Sequence, residues 1–202
     1  APAQQRMWLL NRFDVADGID GGDHIAFALD LDADTDLDAV RAAAATVLSR
    51  HDSLRTVFPD SPSGPRQHVL SSVTLDLEPV DAGTDLDADL AEFARARFDL
   101  TVDPPIRTRL YRTNSGYVLA VVIDHIAADG LSLLPLGRDA VAAYRAHRDG
   151  ETPELPAPSV TYRDYARWHR AVLGDENDPD SLAARQLAFW KQTLDDASPL
   201  LA

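Results

Sequence analysis

Tyr117-Val118-Leu119-Ala120-Val121-Val122-Ile123 runs without a break into Asp124-His125-Ile126-Ala127-Ala128-Asp129-Gly130. The first seven residues are apolar with no polar alternation. A strand of that kind is buried on both faces and belongs in the middle of a sheet. The seven that follow hold an imidazole, two carboxylates and a glycine, so they form a polar turn at the end of a rigid strand. Such a place suits a reacting group, because the scaffold fixes the side chain's position. A helix is expected from Ser132 to His147, with Leu133, Leu136, Ala140 and Tyr144 inward and Pro135 harmless in the first turn.

Working outward, Thr113-Asn114-Ser115-Gly116 separates Tyr117–Ile123 from a second strand, Ile106–Tyr111, which is a hairpin signal. Upstream, Ile25, Phe27, Leu29 and Leu31 alternate with other residues and mark a strand from His24 to Leu31. A helix over Asp36–Arg50 carries an apolar stripe of Leu37, Val40, Ala44, Val47 and Leu48, with Thr35 or Asp36 as its cap. Leu54–Phe58 and Gln67–Leu70 read as strands around a Pro- and Ser-rich turn, and Val73–Val80 as a further strand. Leu86, Leu90, Phe93 and Phe98 support a helix over Asp85–Phe98. Beyond the Pro-rich connection 149–158, helices fit Tyr162–Leu173 and Asp180–Leu194. The expectation is an α/β fold: a mixed sheet sandwich with packed helices.

The 202 residues are 45% hydrophobic, carry no cysteine and have a formal net charge of −14. Lack of cysteine excludes thiol catalysis and a disulfide framework, and points to the cytoplasm as the simplest location. The acidic field and the scattered arginines argue against nucleic acid. No apolar run of membrane-spanning length is present. Asp30-x-Asp32-x-Asp34 opens like a calcium loop, but Thr35 stands where glycine is needed and Arg41 where the closing glutamate belongs. No metal site is expected.

His125 is the strongest candidate. It can exchange a proton near neutral pH, Gly130 lets a ligand approach the backbone, and amides near a helix start suit a developing oxyanion. By residue chemistry alone, a structural histidine competes with a catalytic one.

Four ordered stretches resemble condensation domains of nonribosomal peptide synthetases. Ala3-Gln4-Gln5-Arg6-Met7-Trp8 resembles the family's opening motif. Arg50-His51-Asp52-Ser53-Leu54-Arg55-Thr56-Val57-Phe58 resembles Arg-His-Glu-x-Leu-Arg-Thr-x-Phe, with Asp for Glu. Asp124–Gly130 resembles the His-His-x-x-x-Asp-Gly motif, and Tyr162-Arg163-Asp164-Tyr165-Ala166-Arg167-Trp168 resembles Tyr-x-Asp-Phe/Tyr-Ala-x-Trp. Phe98-Asp99-Leu100 and Pro104-Pro105-Ile106-Arg107 are also family-like.

The resemblance implies one lobe of the two-lobed chloramphenicol acetyltransferase-like fold. Residues 1–174 would be the N-terminal lobe and 175–202 a connecting helix toward a C-terminal lobe. It implies amide formation between donor and acceptor thioesters borne on phosphopantetheine arms of carrier proteins, with no cofactor bound by the domain itself. Carrier domains, the C-terminal lobe and an adjacent adenylation domain are the implied partners, and the lobe alone is expected to be inactive.

By motif position His125 orients the acceptor amine, the Gly130 amide is an oxyanion donor, and Asp129 is structural. Arg6, Trp8 and Arg55 are expected to stabilise the lobe. Asp124 departs from the family's first His. That departure keeps open a catalytically degenerate module that recruits carrier proteins or tailoring enzymes. An epimerisation lobe is a further alternative, against which the Ala3–Leu10 match leans.

Overall fold

The computed structural model describes residues 1–17, 23–62 and 64–195, without the side chains of 14–17. They form two compact units, 3–159 and 160–202 together with 1–2. In the larger, helix α1 (Pro2–Asp17) precedes strand β1 (His24–Asp32) and helix α2 (Leu37–Arg50). A 3-10 turn (Asp52–Arg55), β2 (Thr56–Val57), β3 (His68–Val69), β4 (Pro79–Asp81) and α3 (Leu86–Arg95) follow. β5 (Ile106–Arg112), β6 (Gly116–Asp124) and α4 (Leu133–Arg148) complete the unit. The mixed α/β architecture is the one expected.

The main sheet has the order β1-β6-β5-β4, with β6 antiparallel to both neighbours and β4 parallel to β5. The apolar strand is therefore central. Its alternate side chains enter different cores because strand neighbours point to opposite faces. Val118, Ala120 and Val122 pack with Phe58, Phe93 and Phe98, joined by half-buried Met7 and Trp8 of α1. Val121 and Ile123 pack with Leu48, Leu54 and Ile106, joined by half-buried Leu136 of α4. Asp36 caps α2 by accepting from the Ala39 N–H, and Asp85 caps α3 by accepting from the Ala88 N–H.

Three elements differ from the sequence expectation. Leu54 and Arg55 lie in the 3-10 turn, leaving Thr56–Val57 as strand, because the Thr56 hydroxyl donates to the Asp52 carbonyl and closes that turn. Val73, Leu75 and Leu77 do turn inward, but only Pro79–Asp81 pairs in the sheet. Their alternation records burial without a ladder. α3 ends at Arg95, and Phe98 leaves the helix to fill the core at 3% exposure. The first element, α1, is a helix that the sequence patterning did not single out.

In the smaller unit, α5 (Tyr162–Leu173) starts with a capping box of Thr161 and Asp164, and α6 (Leu182–Thr193) is capped by Ser181. Among the described residues no helix is long and apolar enough to cross a membrane.

Candidate active site

β6 ends at Asp124, and the next three residues form a turn whose backbone is held on every side. The Asp124 N–H donates to the Pro105 carbonyl, the His125 N–H to the Asp23 carbonyl and the Ala127 N–H to the Asp124 carbonyl, at 2.9, 2.9 and 3.0 Å. The Asp124 side chain accepts the Ile126 N–H at 2.9 Å through Oδ1. The Ile126 carbonyl accepts from buried Gln4 of α1, whose own Oε1 accepts from Gln67. Ile126 packs in one core and Ala128 in the other, so the turn is wedged at the end of the sheet.

His125 is half-buried in this turn. Its Nδ1 is buried and has no hydrogen-bond partner among the described residues. Asp129 is exposed and works locally. Its Oδ1 accepts from the Ser132 hydroxyl at 2.6 Å and the Ser132 N–H at 2.9 Å. Those bonds hold the Asp129 carboxyl below its ordinary range. Gly130 is exposed, and a Cβ built on it would meet nothing within 4 Å. Neither backbone strain nor internal packing demands glycine there.

Asp124 closes the strand and is buried, whereas His125 opens the turn and is half-buried. Asp124 is 5% exposed, and burial raises its carboxyl pKa, with the Ile126 N–H and His24 working the other way. It faces His24, its partner in the β1–β6 register, with Oδ2 3.6 Å from Nε2. The edge of Phe98 meets the His24 ring, and the Arg107 guanidinium lies over Phe98 at 4.1 Å. Burial draws the Arg107 pKa down, opposed by Asp103 and Asp124.

Arg55 donates to the carbonyls of Leu48, Ser49 and Leu70 and to the Asp52 carboxylate, tying α2, the 3-10 turn and β3 together. Trp8 donates its indole N–H to the Phe58 carbonyl at 3.2 Å. Arg6 is exposed on α1. Arg50 and His51 both reach Asp139 of α4, at 2.6 and 2.7 Å, which pins α2 to α4. The sequence reading missed His24 and Gln4 as supports of the turn. Gln4 lay inside the quoted opening motif, whereas His24 carried no local signal.

A condensation-domain family model matches residues 1–202. The chain is 43% identical over 195 residues to a probable non-canonical nonribosomal peptide synthetase, CymA, of Salinispora arenicola, covering 96% of this chain and 2% of that protein. It is 40% identical over 196 residues to a dimodular nonribosomal peptide synthase of Bacillus subtilis, covering 95% of this chain and 8% of that one. In a solved complex of the X-domain and OxyB from teicoplanin biosynthesis, 36% sequence identity accompanies a TM-score of 0.86 over 99% of this chain and 44% of that one. The chain thus spans a small part of these synthetases and under half of the X-domain chain. The family match runs over residues 1–202, so the chain belongs to the condensation-domain family of nonribosomal peptide synthetases, with the chloramphenicol acetyltransferase-like fold.

Proposed function

We propose that this chain is the first lobe of a domain that forms an amide bond between two carrier-borne thioesters, with residues 1–174 as the lobe and 175–202 as the link to the second. In that reaction the acceptor's amine nitrogen attacks the donor's carbonyl carbon. The C–N bond forms, the C–S bond breaks, and the proton lost by nitrogen ends on the departing thiol. His125 orients the amine, and the Gly130 N–H faces the oxygen that gains charge. Carrier domains bring both substrates on phosphopantetheine, and a second lobe and an adenylation domain complete the cytoplasmic machine.

The observation that carries this reading is the placement of His125 on a braced turn with one ring nitrogen buried. Positioning is the larger role expected of His125. An α-amino group with a pKa of about 8 is partly neutral already, so orientation contributes more than proton removal. Gly130 fits the same picture: since its surroundings in the lobe do not require glycine, clearance for an incoming group supplies the reason.

In the complete synthetase, His125→Ala is expected to lower dipeptide formation by roughly a hundredfold or more. Product formation at the original rate would sink the assignment. One observation favours a second reading. Asp124 replaces the first motif histidine, and the chain is 36% identical to an X-domain solved in complex with OxyB. In that reading the domain recruits another enzyme and makes no bond. His125→Ala would then leave peptide assembly intact, while a pull-down with the pathway's tailoring enzymes would retain them.

A further inference from the structure

The His24–Asp124 pair has an orientation that its surroundings dictate. His24 Nδ1 lies 3.3 Å from the Ala94 carbonyl oxygen. A carbonyl only accepts, so Nδ1 is the ring nitrogen that carries hydrogen. That leaves Nε2, which is buried and has no hydrogen-bond partner among the described residues, facing Asp124 Oδ2 at 3.6 Å. With the ring neutral and the carboxyl ionised, a nitrogen lone pair would point at a negative oxygen. Both side chains are about nineteen-twentieths buried, with exposures of 5% and 6%, so water does not screen that repulsion. Asp124 Oδ1 is already engaged by the Ile126 N–H, so the carboxyl cannot turn away without breaking the motif turn.

We propose that His24 and Asp124 together carry one buried proton, and that this cross-strand pair is the positioning unit for His125. With the proton present, the pair is neutral as a whole, whether written as imidazolium and carboxylate or as imidazole and carboxylic acid. Its geometry reaches His125 directly. Asp23, next to His24, accepts the His125 N–H, and Asp124, next to His125, accepts the N–H groups of Ile126 and Ala127. The imidazole is therefore carried by backbone pinned from both strands. His24 supplies from β1 an imidazole that the family motif supplies from the strand end itself. The link to catalysis rests on the reading of His125 given above; the shared proton does not.

Other charged groups act on the pair. Asp23 and His125 flank it along the chain, and Arg107 approaches from β5, with Asp103 and Arg109 acting on Arg107 in turn. All remain in Asp124→Asn, which makes that variant the control. Asn keeps an oxygen for the Ile126 N–H and offers an Nδ2–H to a neutral Nε2, so it replaces the shared proton with a permanent donor. Loss of that proton would set the Nε2 lone pair against the carboxylate, so the pair's stabilising effect is lost as pH rises.

Two measurements on the 202-residue chain test the proton. Ring 15N NMR should show Nδ1 protonated throughout, with Nε2 bound to a proton that leaves in one step as pH rises. In Asp124→Asn, Nε2 should be an unprotonated acceptor at the pH where the wild-type pair still holds its proton. The Tm difference, wild type minus Asp124→Asn, should fall across the same step. A His24 ring protonated only on Nε2, or a Tm difference independent of pH, overturns the proposal. In the complete synthetase, Asp124→Ala should be about tenfold less active than Asp124→Asn, the equivalent of one hydrogen bond in the turn. Equal activity of the two variants removes the positioning role. If His125→Ala remains active while the NMR result holds, only the catalytic reading fails.

Discussion

At the scale of single residues, the site depends on side chains that hold backbone rather than substrate. Arg55 is the plainest case. Its guanidinium satisfies carbonyls on α2 and beside β3 while sitting 12% exposed beside Asp52. Arg55→Ala leaves those carbonyls short of a donor and is expected to destabilise the chain by about 2–3 kcal/mol in urea titration. Arg55→Lys should recover little, since one ammonium cannot span three directions. The sequence named Arg55 as a stabilising residue through its motif, but it could not name Leu48, Ser49 and Leu70, because carbonyl partners are backbone atoms that every residue type shares. The same limit hid His24. A lone histidine at a strand start has no pattern, and its meaning arises only once the β1–β6 register sets it opposite Asp124.

At the scale of elements, hydrophobic periodicity was a reliable guide wherever an element buries its own stripe. β6, α2 and α4 fall within a residue or two of their expected bounds. It misled where burial and hydrogen bonding part company, as in Val73–Leu77, which packs inward without a ladder partner. The hairpin into β6 adds a backbone requirement. Gly116 has φ +150°, and a Cβ there would come within 2.3 Å of the Leu31 carbonyl oxygen on β1. Gly116→Ala must move an edge strand or strain the turn, and a loss of about 2 kcal/mol or more is expected in thermal unfolding. An unchanged Tm would show that β1 gives way freely at this end.

At the scale of the whole molecule, 202 residues with a net charge of −14 build a larger unit around two cores that share β6, and a smaller helical unit with exposed aromatics. Trp168 of α5 is 58% exposed, with its ring 5.8 Å from that of Tyr165 and 6.3 Å from that of His169 on the same helix. Trp168→Gln is expected to shift stability by no more than about 0.5 kcal/mol, as for other exposed positions. A large loss in differential scanning calorimetry would mean that the indole is part of a core. What the sequence settled unaided was most of the elements, α1 excepted, and the family, since these are written locally, in periodicity and in contiguous motifs. What only the tertiary structure decided was how the motif turn is braced: which face Asp124 takes, that His24 meets it across the sheet, and that Gln4 of α1 reaches the Ile126 carbonyl. These contacts join residues far apart in the chain, and strand register and helix packing, rather than composition, bring them within a hydrogen bond of one another.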